Sequence, residues 1–408
     1  MAVVLAAALG FLAYYAVAWL QVSPLRERGT DFSASYVAAL LVRDGEGSRL
    51  YDQPLEHDRH LALLPAGTRI DLPFIAPPTA ALLAVPFSLL DPGTAFRLWS
   101  LVQLALLALA VAIAARASPW PPWMPPAWRR LSPLAGFAGS ATFSFFVLGQ
   151  VDGIAALGLA AAYASWRHGH AGRAGFWLML GFAVTKPHLA IGLAAFLVGR
   201  RDARALAGGA SAAGLALVAA LAVGGSAAIT GFAGAAGFAL GNTPAASTAG
   251  LSGFIASWLS DGTGPAILTA VGASLAVIGC GVLGARARVR PGLLEVALGG
   301  AVALSLVASP HLLTHDLVLL APVFVWTMAR AASQQAQLRL LGAWVTLNML
   351  VALDTGNGAP APPGRLTPLA LIAAGGAAML GTAEPRRRAM ARFALQPGGG
   401  SGAGGSTE

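Results

Sequence analysis

The chain has 408 residues, of which 56% are hydrophobic and only 11% charged, with a mean hydropathy of +0.69; a soluble domain carries roughly 25% charge, so this composition excludes one and makes lipid the solvent. The formal net charge of +9 does not point to nucleic acid, because 26 residues are basic, one of them is Lys186, and the other 25 are arginines in short clusters between apolar runs, the pattern of loops that orient a membrane protein. The single cysteine, Cys280, lies inside an apolar run, which excludes a disulfide framework and a thiol-based metal site.

A helix that spans a bilayer needs about 20 apolar residues, fewer where it is broken or re-entrant. The first such run, 2–22, is too long for a signal-peptide core, has no positive residue before it, and reads as a retained anchor. A long outer loop, 23–73, follows. Within it Phe32, Tyr36, Val37, Leu40 and Leu41 recur at helical spacing and predict a short amphipathic helix on the membrane surface. The run 74–90 is interrupted by Pro77, Pro78 and Pro86, each of which removes a helix hydrogen bond, so it is expected to be re-entrant or partly embedded. Further spans are expected at 93–115, 132–148, 151–167, 172–186, 187–199, 204–224, 263–284, 292–308, 311–329, 338–353 and 366–382, about 12 in all. Between them lie a second long outer segment, 225–262, and a proline-rich outer loop, 355–365. The Gly/Ser-rich tail, 396–408, has nothing apolar to bury and is expected to be disordered.

The arginines test this layout. With 74–90 left as non-crossing, 17 of the 26 basic residues, from Arg116 through Arg392, fall in loops on one side. The positive-inside rule makes that side cytoplasmic, together with both termini. The aspartates gather on the opposite side, Asp31, Asp152 and Asp316 among them. Counting 74–90 as a crossing destroys this bias.

Charge at membrane depth costs roughly 2.5–3.5 kcal/mol even on a gentle scale, so polar residues at the outer helix ends carry the functional interest. Asp31 opens the surface helix. It reads either as an N-cap, satisfying free backbone N–H groups, or as a general base at the membrane surface. Lys186 sits between two runs too short to cross a core of about 30 Å, so the junction is expected below the outer surface. There it is either a snorkelling side chain or a point charge for a lipid-linked phosphate. His311 and His315 are four apart and are expected to share a helix face, for packing or for hydrogen bonding to a phosphate or sugar. Without a third ligand in a recognisable motif they do not argue for a metal. Gln150 and Asp152 fall in a tight turn between Gly149 and Gly153, where they either solvate the turn or face a ligand.

These four places, with the segments around them, resemble the polyprenol-phosphate-sugar-dependent glycosyltransferases of family 87 in the GT-C superfamily. The resemblance rests on Asp31-Phe32 with Tyr36, on Leu50-Tyr51-Asp52, and on Phe74 with Pro77-Pro78 and Pro86-Phe87. It continues through Trp99, Gly149-Gln150, Ala174-Gly175 leading to Lys186, and Ser309-Pro310-His311 with His315. The family usually has Tyr where this chain has Ala76 and Asn where it has Asp152.

The resemblance implies one all-α GT-C-like transmembrane domain over 1–395. It implies an inverting transferase on the outer face of the plasma membrane that moves a hexose, most often mannose, from polyprenyl phosphate to a glycolipid or glycan acceptor. Asp31 would be the general base, and Lys186, His315, His311, Gln150, Asp152 and Tyr36 would bind the donor. Neither a nucleotide nor a metal cofactor is implied, and the partners are membrane lipids rather than nucleic acid. The competing class is a transporter or lipid flippase, which places polar groups near the bilayer midplane on discontinuous helices at the interface of repeats. The run 172–199 fits that, but no internal repeat accompanies it.

Overall fold

The computed structural model describes residues 2–22, 31–63, 72–243, 248–259, 262–354 and 364–383. The expected tail 396–408, most of the loop 355–365 and the C-terminal arginines from Arg386 on lie outside them. Among the described residues every regular element is a helix, the outcome that apolar solvent enforces, since a helix satisfies its own backbone.

The first helix, α1 (Ala2–Gln21), is followed by α2 (Asp31–Arg43), α3 (Gln53–Leu63) and a short α4 (Pro78–Ala84) that continues as a 3-10 turn over Val85–Leu89. Then come α5 (Pro92–Ala117), α6 (Pro126–Phe137), α7 (Ser140–Leu148), α8 (Asp152–Arg167), α9 (Ala171–Ala183) and, after a 3-10 turn at Pro187–Ala190, α10 (Ile191–Arg200). The second half holds α11 (Ala203–Asn242), α12 (Leu251–Ala256), α13 (Thr263–Val289), α14 (Leu294–Ala308), α15 (Leu320–Ala329), α16 (Gln334–Asp354) and α17 (Thr367–Ala383).

Each of the expected spans overlaps at least one helix. Among the described residues, five segments suffice by length and apolarity to cross a bilayer alone: α5, α11, α13, α16, and α14 with the turn that precedes it. The bent pair α6 and α7 makes a sixth, and with it the molecule is a polytopic helical membrane protein. The bend of 50° falls at Ala138–Gly139. Here the freed backbone groups find partners on other helices. The Ser140 amide donates to Asn348 Oδ1 at 2.7 Å, and Tyr15 donates to the Gly139 carbonyl at 2.5 Å. A break inside an apolar layer survives only when protein satisfies it in this way.

Helices α8, α14 and α15 are the most deeply buried, with α9, α10 and α13 packed around them. Small residues let backbones meet, as in membrane bundles generally: a side chain on Gly175 of α9 would collide with the Ala205 backbone of α11, and one on Gly199 of α10 with that of Gly281 on α13. Tyr163 and Trp326 fill the middle, fully buried, with ring centroids 4.7 Å apart.

Three expectations change. Helix α2 is not an amphipathic surface helix: Phe32, Tyr36 and Val37, but also Ser33, Ala34 and Ala38, are buried, so it is covered nearly all round by α4, the 85–89 turn and neighbours. Residues 225–242, expected as an outer loop, are helical, because α11 continues past a kink at Gly224–Gly225. Gly225 there takes φ 62° and ψ −153°, a conformation open only to glycine. The expected helix from 311 is broken: Ser309-Pro310 end α14 and only a 3-10 turn, Thr314–Leu319, precedes α15. His311 and His315 therefore share no helix face.

Candidate active site

The turn between α7 and α8 is built around Gly149, whose φ of 65° is left-handed and whose missing side chain leaves room for Phe32 and Phe96. Trp99 Nε1 donates to the Gly149 carbonyl at 2.8 Å, fixing the turn to α5. This aims Gln150 and Asp152 into the protein, where both are buried, Asp152 completely. Neither solvates the turn.

Lys186 follows the end of α9, its amide bonded to the Phe182 carbonyl at 2.8 Å. An ammonium has three N–H donors, and Lys186 Nζ meets three acceptors from three elements. These are Gln150 Oε1 at 3.1 Å, Asp152 Oδ2 at 3.0 Å and Asp316 Oδ1 at 2.6 Å. The side chain points inward with 14% of its surface exposed, which is the opposite of snorkelling. The other end of Gln150 donates through Nε2 to Asp31 Oδ2. One amide thus joins Asp31, at the start of α2, to Lys186.

Asp316 is ordered by the Leu313 amide, which donates to its Oδ2 at 2.7 Å, and lies 3.5 Å from His315 Nε2. His315 is buried, and His311 is half-buried with its ring edge-on to His188 at 6.4 Å. Thr79 donates to the Val184 carbonyl at 3.0 Å, so the start of α4 closes against the Lys186 junction. Asp31, which lies outside the spanning helices, has its pKa raised by burial, with Lys186 opposing and Asp316 reinforcing the shift. A raised pKa strengthens a carboxylate as a base.

Of the residues singled out in the sequence, Asp31, Gln150, Asp152, Lys186 and His315 are brought into one polar cluster, with His311 at its edge. Tyr36 is used differently. Its hydroxyl donates to the Leu90 carbonyl at 2.7 Å and its ring packs on Phe32, 5.9 Å away, so it supports the layer over the site. Asp316, beside the two histidines, joins the cluster as well, and an acid at an apolar helix entry is the sequence signal for it. His188, two residues after Lys186, is a further addition at its edge.

Asp152, His315 and Asp316 each offer a ligand atom within 4.8 Å of the others, a set able to hold a divalent cation. Lys186 already occupies that space, with bonds to both acids. The arrangement therefore combines a carboxylate of raised basicity, an ammonium one side chain away, and imidazoles beside it. That is a set suited to taking a proton from a hydroxyl while holding an anionic group.

The model of glycosyltransferase family 87 matches residues 74–310, more than half of the chain. The match takes in Gln150, Asp152 and Lys186; Asp31 precedes it and the His311–Asp316 segment follows directly. No curated protein and no solved structure gives a significant match. On the family match, and with a buried polar cluster of this composition within a helical membrane bundle, the chain belongs to glycosyltransferase family 87.

Proposed function

We propose that the protein moves a hexose, mannose foremost, from polyprenyl phosphate to a hydroxyl of a glycolipid or glycan on the outer face of the plasma membrane. In this reading the twelve expected spans all cross, both termini are cytoplasmic, and the cluster around Lys186 opens outward. The observation that carries it is the single Gln150 side chain that bonds both the Asp31 carboxylate and the Lys186 ammonium. A base and a phosphate site held this close match a transfer in which the nucleophile enters as the phosphate leaves.

Asp31 takes the proton of the acceptor hydroxyl. The acceptor oxygen bonds to the anomeric carbon from the face opposite the phosphate, the bond from that carbon to the phosphate oxygen breaks, and polyprenyl phosphate leaves with the electron pair. The stereochemistry inverts. Lys186, His315 and His311 stabilise the departing charge, as fixed donors in a water-poor site do most effectively. Gln150 and Asp152 hold the ammonium in place, and no nucleotide or metal takes part.

Incubating the purified protein in lipid nanodiscs with labelled polyprenyl-phosphate mannose and an extract of envelope glycolipids tests this. Labelled product is expected, with a rate that rises with pH through a limb above the ordinary carboxylate range. The Asp31→Asn variant is expected to express normally and lose at least 1,000-fold in rate, on the order of 4 kcal/mol of barrier. Unchanged turnover in that variant removes Asp31 from the mechanism. Movement of intact donor across the bilayer without cleavage assigns the protein to transport.

A further inference from the structure

A second chamber lies away from the Lys186 cluster, between α3, the extended segment before α4 and the outer half of α11. Its volume is about 250 Å³, below the roughly 300–1,000 Å³ of pockets for drug-sized ligands, and so of a size for one ring. Tyr51, Phe74 and Phe238 supply aromatic walls, Gln53 and the buried Glu56 supply polar ones, and Gly234 leaves the remaining wall open.

The chamber is built. Tyr51 and Phe74 stack at 5.7 Å, and the Tyr51 hydroxyl is tied to the Ala76 carbonyl at 2.7 Å, which turns the ring itself toward α11. Glu56 Oε2 accepts from the Phe74 amide at 2.9 Å, holding the carboxylate at the wall. The kink at Gly224–Gly225 redirects the outer half of α11 over these rings, and a side chain on Gly231 would strike Tyr51 at 2.6 Å, so glycine is needed for the approach. Three residues on, a side chain on Gly234 would meet nothing within 4 Å.

Aromatic faces with a carboxylate and an amide beside them are the surroundings of a ring that is apolar on its faces and hydroxylated at its edge. Among the described residues no cation lines the chamber to hold a phosphate, and an acyl chain would leave the Gln53 amide against hydrocarbon. A neutral pyranose satisfies both walls. The connection to the polar cluster is short: Phe74 lines the chamber, Thr79 bonds to the Lys186 junction, and five residues span at most about 18 Å. A short oligosaccharide reaches across that distance.

We propose that this chamber is an acceptor subsite that holds a neutral hexopyranose ring of the acceptor glycan, a few sugars away from the hydroxyl at Asp31. The inference rests on the transferase reading above for its place in the reaction, but not for the binding itself.

Saturation-transfer NMR tests it with protein in nanodiscs and the methyl glycosides of mannose, glucose and galactose as probes. At least one glycoside is expected to receive saturation from the aromatic protons of the parent protein and, equally, of Asp31→Asn. In Gly234→Leu, which fills the chamber from a helical position, the signal should fall to background. Phe238→Ala, which removes a wall and adds no bulk, should weaken it severalfold and carries the test if the leucine variant does not fold. No transfer to any of the three sugars, or transfer undiminished in the variants, overturns the subsite. Binding that persists while labelled donor gives no product instead overturns the transferase mechanism and leaves the subsite standing.

Discussion

Lys186 donates to side chains from two other helical segments and from the turn before α8, and two of its acceptors are carboxylates with essentially no exposed surface. Removing the ammonium leaves both acids buried without a counter-charge, a change that costs about 3–5 kcal/mol in proteins generally. Lys186→Met is therefore expected to melt at a markedly lower temperature in detergent. The triple variant Lys186→Met, Asp152→Asn, Asp316→Asn, which keeps shape and removes the stranded charge, is expected to regain most of that loss yet transfer no sugar. Recovery of turnover along with stability would show the lysine to be a structural counter-ion only. This cluster was partly legible in the sequence. A lone lysine between two short apolar runs and polar residues in a tight turn are costly choices that demand partners. What could not be read was the pairing: residues 150, 152, 186 and 316 meet through three-dimensional packing, and no spacing rule brings Asp316 to Lys186. The same limit applies to Tyr36, because helical spacing does not tell that its hydroxyl donates to the Leu90 carbonyl.

At the level of elements, the apolar runs located the helices well, since each one satisfies its own backbone wherever the surroundings are apolar. Their breaks were harder. Gly139 and Gly225 are indistinguishable in the sequence from the many glycines that merely permit close packing, and the bend at Gly139 depends on partners far along the chain, Asn348 and Tyr15. At the end of α14 remote from the polar cluster, Glu295 shows how helices are tied together. It is fully buried, accepts from the Tyr163 hydroxyl at 3.0 Å, and lies 3.6 Å from Arg167 and 3.7 Å from Arg330, joining α8, α14 and the end of α15. Both arginines are about one-third exposed, so water can solvate them if the acid is lost, and the ion pairs alone contribute little. The buried Tyr163 hydroxyl would keep its long bond to the Ala117 carbonyl, at 3.5 Å. Glu295→Ala is expected to cost about 1–3 kcal/mol, mainly through the loss of that hydroxyl's shorter bond, and Glu295→Gln less, read as the melting temperature in detergent. Rate per folded molecule should be unchanged in both, because some fourteen residues of helix, about 21 Å, separate Glu295 from Ser309 and the segment that bears His311.

For the whole molecule, the distribution of charge makes a claim about sidedness that single residues do not. Arginines at 116, 129, 130, 167, 173, 200, 201 and 204 sit at one set of helix ends, whereas Asp31, Asp152 and Asp316 meet at the other. In the proposed orientation, which follows the positive-inside rule, the first set faces the cytoplasm, and the proposed acceptor chamber, beside α3, faces out with the Lys186 cluster. Cys280 is fully buried and is the only cysteine, which suits the chain to thiol labelling without a prior replacement. Cysteine placed at His57, exposed on α3, is expected to react with a membrane-impermeant maleimide on intact cells. Cysteine at His168, exposed after α8, is expected to react only once the membrane is opened. Both side chains are exposed on the protein's surface, so activity should survive in each. Labelling in the reverse order would turn the molecule over, placing Asp31 and Lys186 in the cytoplasm, where a donor would have to be reached from the inner leaflet. Labelling of both from the same side would break the parity of crossings between α3 and α8, and with it the non-crossing assignment of residues 74–90.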